Sequence, residues 1–154
     1  MKISKTYTVE EATRALEHFC AYQERCHLEV EQKLTKMKMI PSAQEHVILH
    51  LLKENYLNEE RFAKSFVRGK FLIKNYGRLR ISNELKLRKI NPSLIQKALT
   101  EIDDEAYIKT LKNLIDKKNA SIKESNIYKK KKKIIDFLLR KGFEYNLIQE
   151  NLPK

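Results

Sequence analysis

The chain has 154 residues, 42% of them hydrophobic and 34% charged, with only three glycines and three prolines. It can therefore bury a core, and neither a globally disordered nor a turn-rich all-β chain fits. The net charge of +12 points to a polyanionic neighbour, and two cysteines without a secretory segment do not make a disulfide framework.

The elements are predicted in chain order from caps and apolar periodicity. Thr8 and Glu11 form a capping box that opens a helix with Ala12, Leu16 and Phe19 on one face. A second helix runs from about Cys26 to Met37 on Val30 and Leu34, with Cys20 and its neighbourhood read as buried apolar surface. Ser42 with Glu45 reads as another capping box, starting a third helix on Val47, Ile48, Leu51 and Leu52. Asn58 followed by Glu59 and Glu60 gives an N-cap and carboxylates at a positive helix end. That helix is expected to bury Phe62, Ala63, Phe66 and Ile73.

Tyr76-Gly77 breaks the pattern, and Arg78–Lys89 resumes it on Ile81 and Leu85. Asn91-Pro92 reads as an N-cap followed by proline at the first helical position. A further helix starts near Asp104 on Tyr107, Ile108, Leu111, Leu114 and Ile115. The polar run Asp116–Asn126 is expected to be a loop or a frayed helix end. Lys129–Lys133 leads into Ile134, Ile135, Phe137 and Leu138, Gly142 stops that helix, and a last short one uses Leu147, Ile148 and Leu152.

These nine segments repeat. Leu34, Leu85 and Leu138 recur at a spacing of about fifty residues, each with a β-branched residue four positions before it (Val30, Ile81, Ile134). Repetition on this scale marks an array of small units that bury their apolar faces against their neighbours. The expected fold is all-α: tandem three-helix, helix-turn-helix-like repeats in an elongated, curved array, divided at 1–57, 58–103 and 104–154. Charge follows the same division. Residues 1–57 carry eight Lys/Arg against eight Asp/Glu, 58–103 eleven against five, and 104–154 thirteen against seven.

The chemistry the residues suggest is binding rather than catalysis. His46 and His50 stand four apart, but Val47 occupies the position where a zinc protease helix needs Glu, and no third ligand has a recognisable spacing. The glycines are isolated, so no phosphate-cradling loop exists, and no Ser or Cys sits in a nucleophile elbow. No enzyme, cofactor or metal is expected.

The basic residues supply the candidate site. Arg61, Lys64 and Arg68 recur at helical spacing opposite Phe62 and Phe66; Lys70, Lys74, Arg78 and Arg80 flank the Tyr76-Gly77 break; Lys86 and Arg88 finish the next helix; Lys130 and Lys133 belong to the five-lysine run. One helix face and a turn of one sign would neutralise several phosphates of single- or double-stranded DNA in a salt-sensitive way. With 8% aromatic residues and no Trp, base stacking gains no support. Met1–Thr8 contains no apolar leader core and no run of eighteen apolar residues exists, so a cytosolic monomer without a membrane partner is expected.

The middle third carries a resemblance. Tyr56-Leu57-Asn58-Glu59-Glu60-Arg61-Phe62-Ala63-Lys64-Ser65-Phe66-Val67-Arg68, then Tyr76-Gly77, Ile81, Glu84-Leu85 and Lys89-Ile90, closely resembles the signature stretch of the RecX family. Arg140-Lys141-Gly142-Phe143 with Ile148 is similar to that family's C-terminal end, and the Lys33-Leu34 helix matches its first unit more loosely. Arg78 stands where the family usually has Pro, and Cys26 where it usually has Ser. The resemblance implies tandem three-helix repeats and a bacterial cytoplasmic regulator of the RecA recombinase. Such proteins bind along the RecA–DNA filament and usually inhibit its ATPase, strand-exchange and coprotease activities. The alternative reading is a free-standing, non-specific DNA-binding protein that uses the same basic face alone.

Overall fold

The computed structural model describes residues 6–153, and their secondary structure is nine α-helices. They are α1 Val9–Tyr22, α2 His27–Lys36, α3 Pro41–Lys53, α4 Glu59–Leu72, α5 Arg78–Leu87, α6 Pro92–Leu99, α7 Asp104–Ser121, α8 Ile127–Lys141 and α9 Tyr145–Asn151. Residues Met1–Lys5, on which part of the reading of Met1–Thr8 rests, lie outside the described residues. Among those described, no helix is long and apolar enough to cross a membrane.

The start signals act through the orphan N–H groups of each first turn. Thr8 accepts from Glu11 N–H while the Glu11 carboxylate accepts from Thr8 N–H, both at 3.0 Å. Asn58 Oδ1 accepts from Arg61 N–H at 2.9 Å, Asn91 Oδ1 from Ser93 N–H at 2.8 Å, and Asn126 Oδ1 from Lys129 N–H at 3.1 Å.

The repeat is visible in how the middle helix of each unit stops. Lys38 and Lys89 adopt φ of 60° and 59°, and Gly142 adopts 99° at the equivalent position. The next N–H then turns back to the repeat leucine: Met39 to Leu34 O, Ile90 to Leu85 O and Phe143 to Leu138 O, at 3.1, 3.2 and 3.1 Å. This is the Schellman closure written three times, although only the third copy uses glycine.

Two hydrophobic cores result. Ala12, Leu16, Val30, Leu34, Val47 and Leu51 form one among α1–α3. The second runs without interruption from Phe62, Val67 and Ile81 on α4 and α5 to Tyr107, Leu111, Leu138 and Ile148 on α7–α9, and includes Cys26 from the start of α2. The accessible surface is 10447 Å², against the roughly 8,100 Å² that the size scaling of compact monomers gives for 18.3 kDa. That excess is what an extended array of small units exposes.

Three expectations need correction. The helix α3 starts at Pro41, with Ile40 in the cap position and no side-chain cap, so Ser42 lies inside the first turn and is not the N-cap. Proline at the first helical position loses no hydrogen bond there and pre-sets φ. On α4 the buried residues are Phe62, Ala63, Val67 and Phe71; Phe66 is only half-buried and Ile73 is 78% exposed. The α7 helix continues to Ser121, so only residues 122–126 of the polar run form a connection. Cys26, at the cap of α2, is fully buried in the second core, and Glu29 accepts from its N–H at 3.1 Å.

Candidate functional site

The units α4–α6 and α7–α9 are joined backbone to backbone. The N-terminus of α5 meets the C-terminus of α8: Gly77 N–H donates to Lys141 O at 2.7 Å and Leu79 N–H to Gly142 O at 3.0 Å. The contact is close enough that a Cβ on Gly77 would lie 2.3 Å from the Gly142 carbonyl, and one on Gly142 would lie 2.3 Å from Arg80 Cβ. Orphan donors of one helix thus satisfy orphan acceptors of another, with the helix dipoles aligned.

Arg78 reinforces this junction. Its guanidinium lies 3.9 Å from the centre of the Tyr107 ring, 2.6 Å from Asp104 and 3.1 Å from Glu144. Its backbone N–H donates to Tyr107 Oη at 3.0 Å, and the Tyr107 hydroxyl in turn donates to Glu144. Burial, then the bond to Glu144, holds the phenol well above its ordinary range. A proline at position 78 could not donate that bond.

The eleven sequence candidates divide into three groups in space. Arg61 is bound to Glu24 at 2.6 Å and to the carbonyls of Asn55 and Tyr56, tying α4 to the segment between α1 and α2. Lys64 and Arg68 face the α6 side: Lys64 and Lys97 share Glu60 at 3.3 and 2.5 Å, and Arg68 pairs with Glu101 at 2.7 Å. The shared Glu60 carboxyl is held below its usual range, by Lys97 first and Lys64 second. Arg78 belongs to the junction. Lys133 reaches Glu124 at 3.6 Å. These residues are largely neutralised within the chain.

The rest lie along a different line. Arg88 sits 4.7 Å over Phe66, and Lys70 lies 5.3 Å from Phe66 and 5.8 Å from Tyr76. Arg80 stacks on Tyr76 at 3.8 Å and donates to Arg140 O at 3.2 Å. Lys141, absent from the sequence candidates, continues the line between Tyr76 and Phe137 at 5.6 and 5.8 Å, and Lys118 ends it 4.5 Å over Phe137. Three half-buried rings, Phe66, Tyr76 and Phe137, thereby seat five cations across α4, α5, α7 and α8. Lys74 and Lys86 are exposed, and Lys130 is half-buried. Lys118 was missed because its ring, Phe137, belongs to another helix, whereas Lys141 stands four residues after Phe137 on α8, a local spacing that could have found it, and only its second ring, Tyr76, is distant in sequence.

His50 Nε2 lies 2.8 Å from Glu17, and the described residues hold no group of three or more His, Cys, Asp or Glu able to bind an ion. Within the seam, Arg80 also lies 3.8 Å from Glu84, one turn along α5. The fold and surface define a helical tandem-repeat protein with a cationic, ring-lined face.

Comparison with known proteins then specifies which one. The chain belongs to the RecX family: residues 58–99 match the family's second three-helix domain and residues 104–152 its third. It is 30% identical over 131 residues to the regulatory protein RecX of Bacillus cytotoxicus, covering 85% of this chain and 48% of that protein. To that of Lactobacillus johnsonii it is 29% identical over 146 residues, covering 95% and 54%. The chain therefore spans about half the length of these relatives. Two crystal structures share the fold. One, of a regulatory protein RecX, has a TM-score of 0.85 at 21% identity and covers 93% of this chain and 70% of that one. The other, of RecX from Lactobacillus salivarius, has a TM-score of 0.83 at 24% identity and covers 93% of each.

Proposed function

We propose that this chain is a non-enzymatic regulator of the RecA recombinase that lies along the RecA–DNA filament and inhibits its ATPase, strand-exchange and coprotease activities. In this reading it is a cytoplasmic monomer serving DNA repair and the SOS response, built of units 1–57, 58–103 and 104–154. The carrying observation is the seam Arg88–Lys70–Arg80–Lys141–Lys118, which crosses two units welded into one body. A rigid line of charge longer than one unit suits a repeating polyanionic track better than a single short ligand. Cations held on ring faces are only partly hydrated and already ordered, which lowers the entropy lost on contact with phosphate.

Titrating the protein into recombinase hydrolysing ATP on single-stranded DNA tests the reading. The wild type should suppress turnover in a salt-sensitive manner. The variant Lys118→Glu/Lys141→Glu, altered at two seam cations that have no carboxylate partner among the described residues, should need at least about tenfold more protein for the same effect. Equal suppression by wild type and variant would remove the seam from the mechanism.

A further inference from the structure

The helix α4 carries a second apolar stripe that begins at the core, with Phe62 buried and Phe66 half-buried against it, and runs out to exposed Ile73. Ala63, Val67 and Phe71 turn inward, whereas Phe66, Gly69 and Ile73 run along the outside with the edge of Phe62. The spacing 62, 66, 69, 73 is the alternating four-and-three step of a helix seam that meets another helix. These residues line an open groove of about 350 Å³. Ile73 and the adjacent Leu72 are 78% and 70% exposed, so the outer end of the stripe presents two large apolar side chains to water.

Gly69 lies at the middle of the stripe. A Cβ there would meet nothing within 4 Å, so no packing within the chain requires glycine, and glycine inside a helix is costly relative to other residues. What it does provide is a notch on the outer face where a second backbone can approach closely. The rim is positive. Lys70 and Lys74 line the groove, Lys70 and Arg88 rest on the Phe66 ring, and none of the three has a carboxylate partner among the described residues. The one carboxylate in the groove, Glu24, is bound to Arg61.

We propose that this face docks an amphipathic helix of about three turns, apolar along one stripe and flanked by carboxylates, supplied by a protein partner. The length follows from the stripe, twelve residues from Phe62 to Ile73, whose eleven steps span roughly 16 Å. The sign follows from the unpaired rim, and the mode is helix-in-groove recognition. The identity of the partner as the protein component of the filament rests on the function proposed above; the groove itself does not.

The test uses the full chain and a substitution that helps the fold while closing the notch. Gly69→Leu should raise the melting temperature by roughly 2–4 °C. The probe is a fluorescein-labelled twelve-residue helix with a leucine stripe and glutamate flanks, with a lysine-flanked version as control. The wild type should bind the acidic peptide at least tenfold more tightly than the basic one, and Gly69→Leu should lose at least tenfold of that affinity. Equal binding by wild type and Gly69→Leu, or no preference for the acidic peptide, overturns the proposal. So does sedimentation showing that a second copy of this chain fills the groove. Peptide binding with no wild-type binding to recombinase-coated DNA would discard the filament reading and keep the groove; the converse would discard the groove alone.

Discussion

Replacing Arg78 with alanine separates a cation that holds the units together from one that meets a partner. Its three side-chain contacts contribute unequally. Asp104 is 93% exposed, so that pair is worth close to nothing in water. The stack on fully buried Tyr107 is worth roughly 1–2 kcal/mol. Glu144, 24% exposed, keeps the Tyr107 hydroxyl but loses a charge-assisted bond, a loss of about 1.5–3 kcal/mol. These terms overlap, and the net expectation for Arg78→Ala is about 3 kcal/mol, a fall in melting temperature of roughly 6–12 °C. Arg78→Lys should lose about half of this, because the charge remains while the planar fork and its stack go. Lys86→Ala, at an exposed site, should stay within about 0.5 kcal/mol. Thermal melts by circular dichroism decide it, read on the transition of the core shared by α4–α9. An Arg78→Ala protein melting within about 2 °C of the wild type would refute the junction argument. A simultaneous charge reversal at Arg68 and Arg78 is accordingly expected to lower stability as well as binding.

Further expectations concern the backbone and the thiols. Gly77→Ala drives a methyl to 2.3 Å from the Gly142 carbonyl and should destabilise by about 3 kcal/mol in urea melts; a loss under about 1 kcal/mol would mean that the two units are not welded there. Lys89→Gly, at φ 59°, should gain up to about 1 kcal/mol, and a clear loss would contradict the Schellman assignment. Burial pushes both Cys20 and Cys26 from 9.0 up to about 11. Their stabilising contribution is thus complete below pH 9 and is lost as pH rises towards 11, because the unfolded chain releases its thiol protons first. Each thiol should remove about 1.4 kcal/mol per pH unit within that window. The phenol of Tyr107 adds its own loss only above its ordinary value of 10.0, so urea melts at pH 9 to 10 isolate the cysteines. A Cys20→Ala/Cys26→Ala variant whose stability falls as steeply there as the wild type's would count against this.

The helices were legible because their determinants are local. Thr8, Asn58 and Asn91 cap through neighbours three residues or fewer away, and the leucine repeat marks the unit by itself. At Pro41 two start signals competed, and the rigid ring prevailed over the Ser42 hydroxyl. The polar stretch Asp116–Asn126 reads as a loop or a frayed helix end, but a helix fixed by Tyr107, Leu111 and Ile115 carries its solvated last turns along to Ser121. The site was less legible for a different reason. Whether a cation is neutralised depends on carboxylates distant in sequence: Glu24 for Arg61, Glu101 for Arg68, Glu144 for Arg78. Composition places the excess charge in the last two thirds of the chain; only the packing divides internal clamps from the seam on Phe66, Tyr76 and Phe137. The outward stripe of α4 was misassigned for the related reason that Phe66 and Ile73 share the helix period with the true core residues Ala63 and Val67.

The most direct test of the central claim is the affinity of the intact chain for recombinase-coated single-stranded DNA and for bare DNA of the same length, over a salt series. Tighter binding to the coated strand, falling with salt and reduced at least tenfold by Lys118→Glu/Lys141→Glu, is the result expected here. Equal or stronger binding to bare DNA would contradict it and would favour a DNA-binding protein that acts alone.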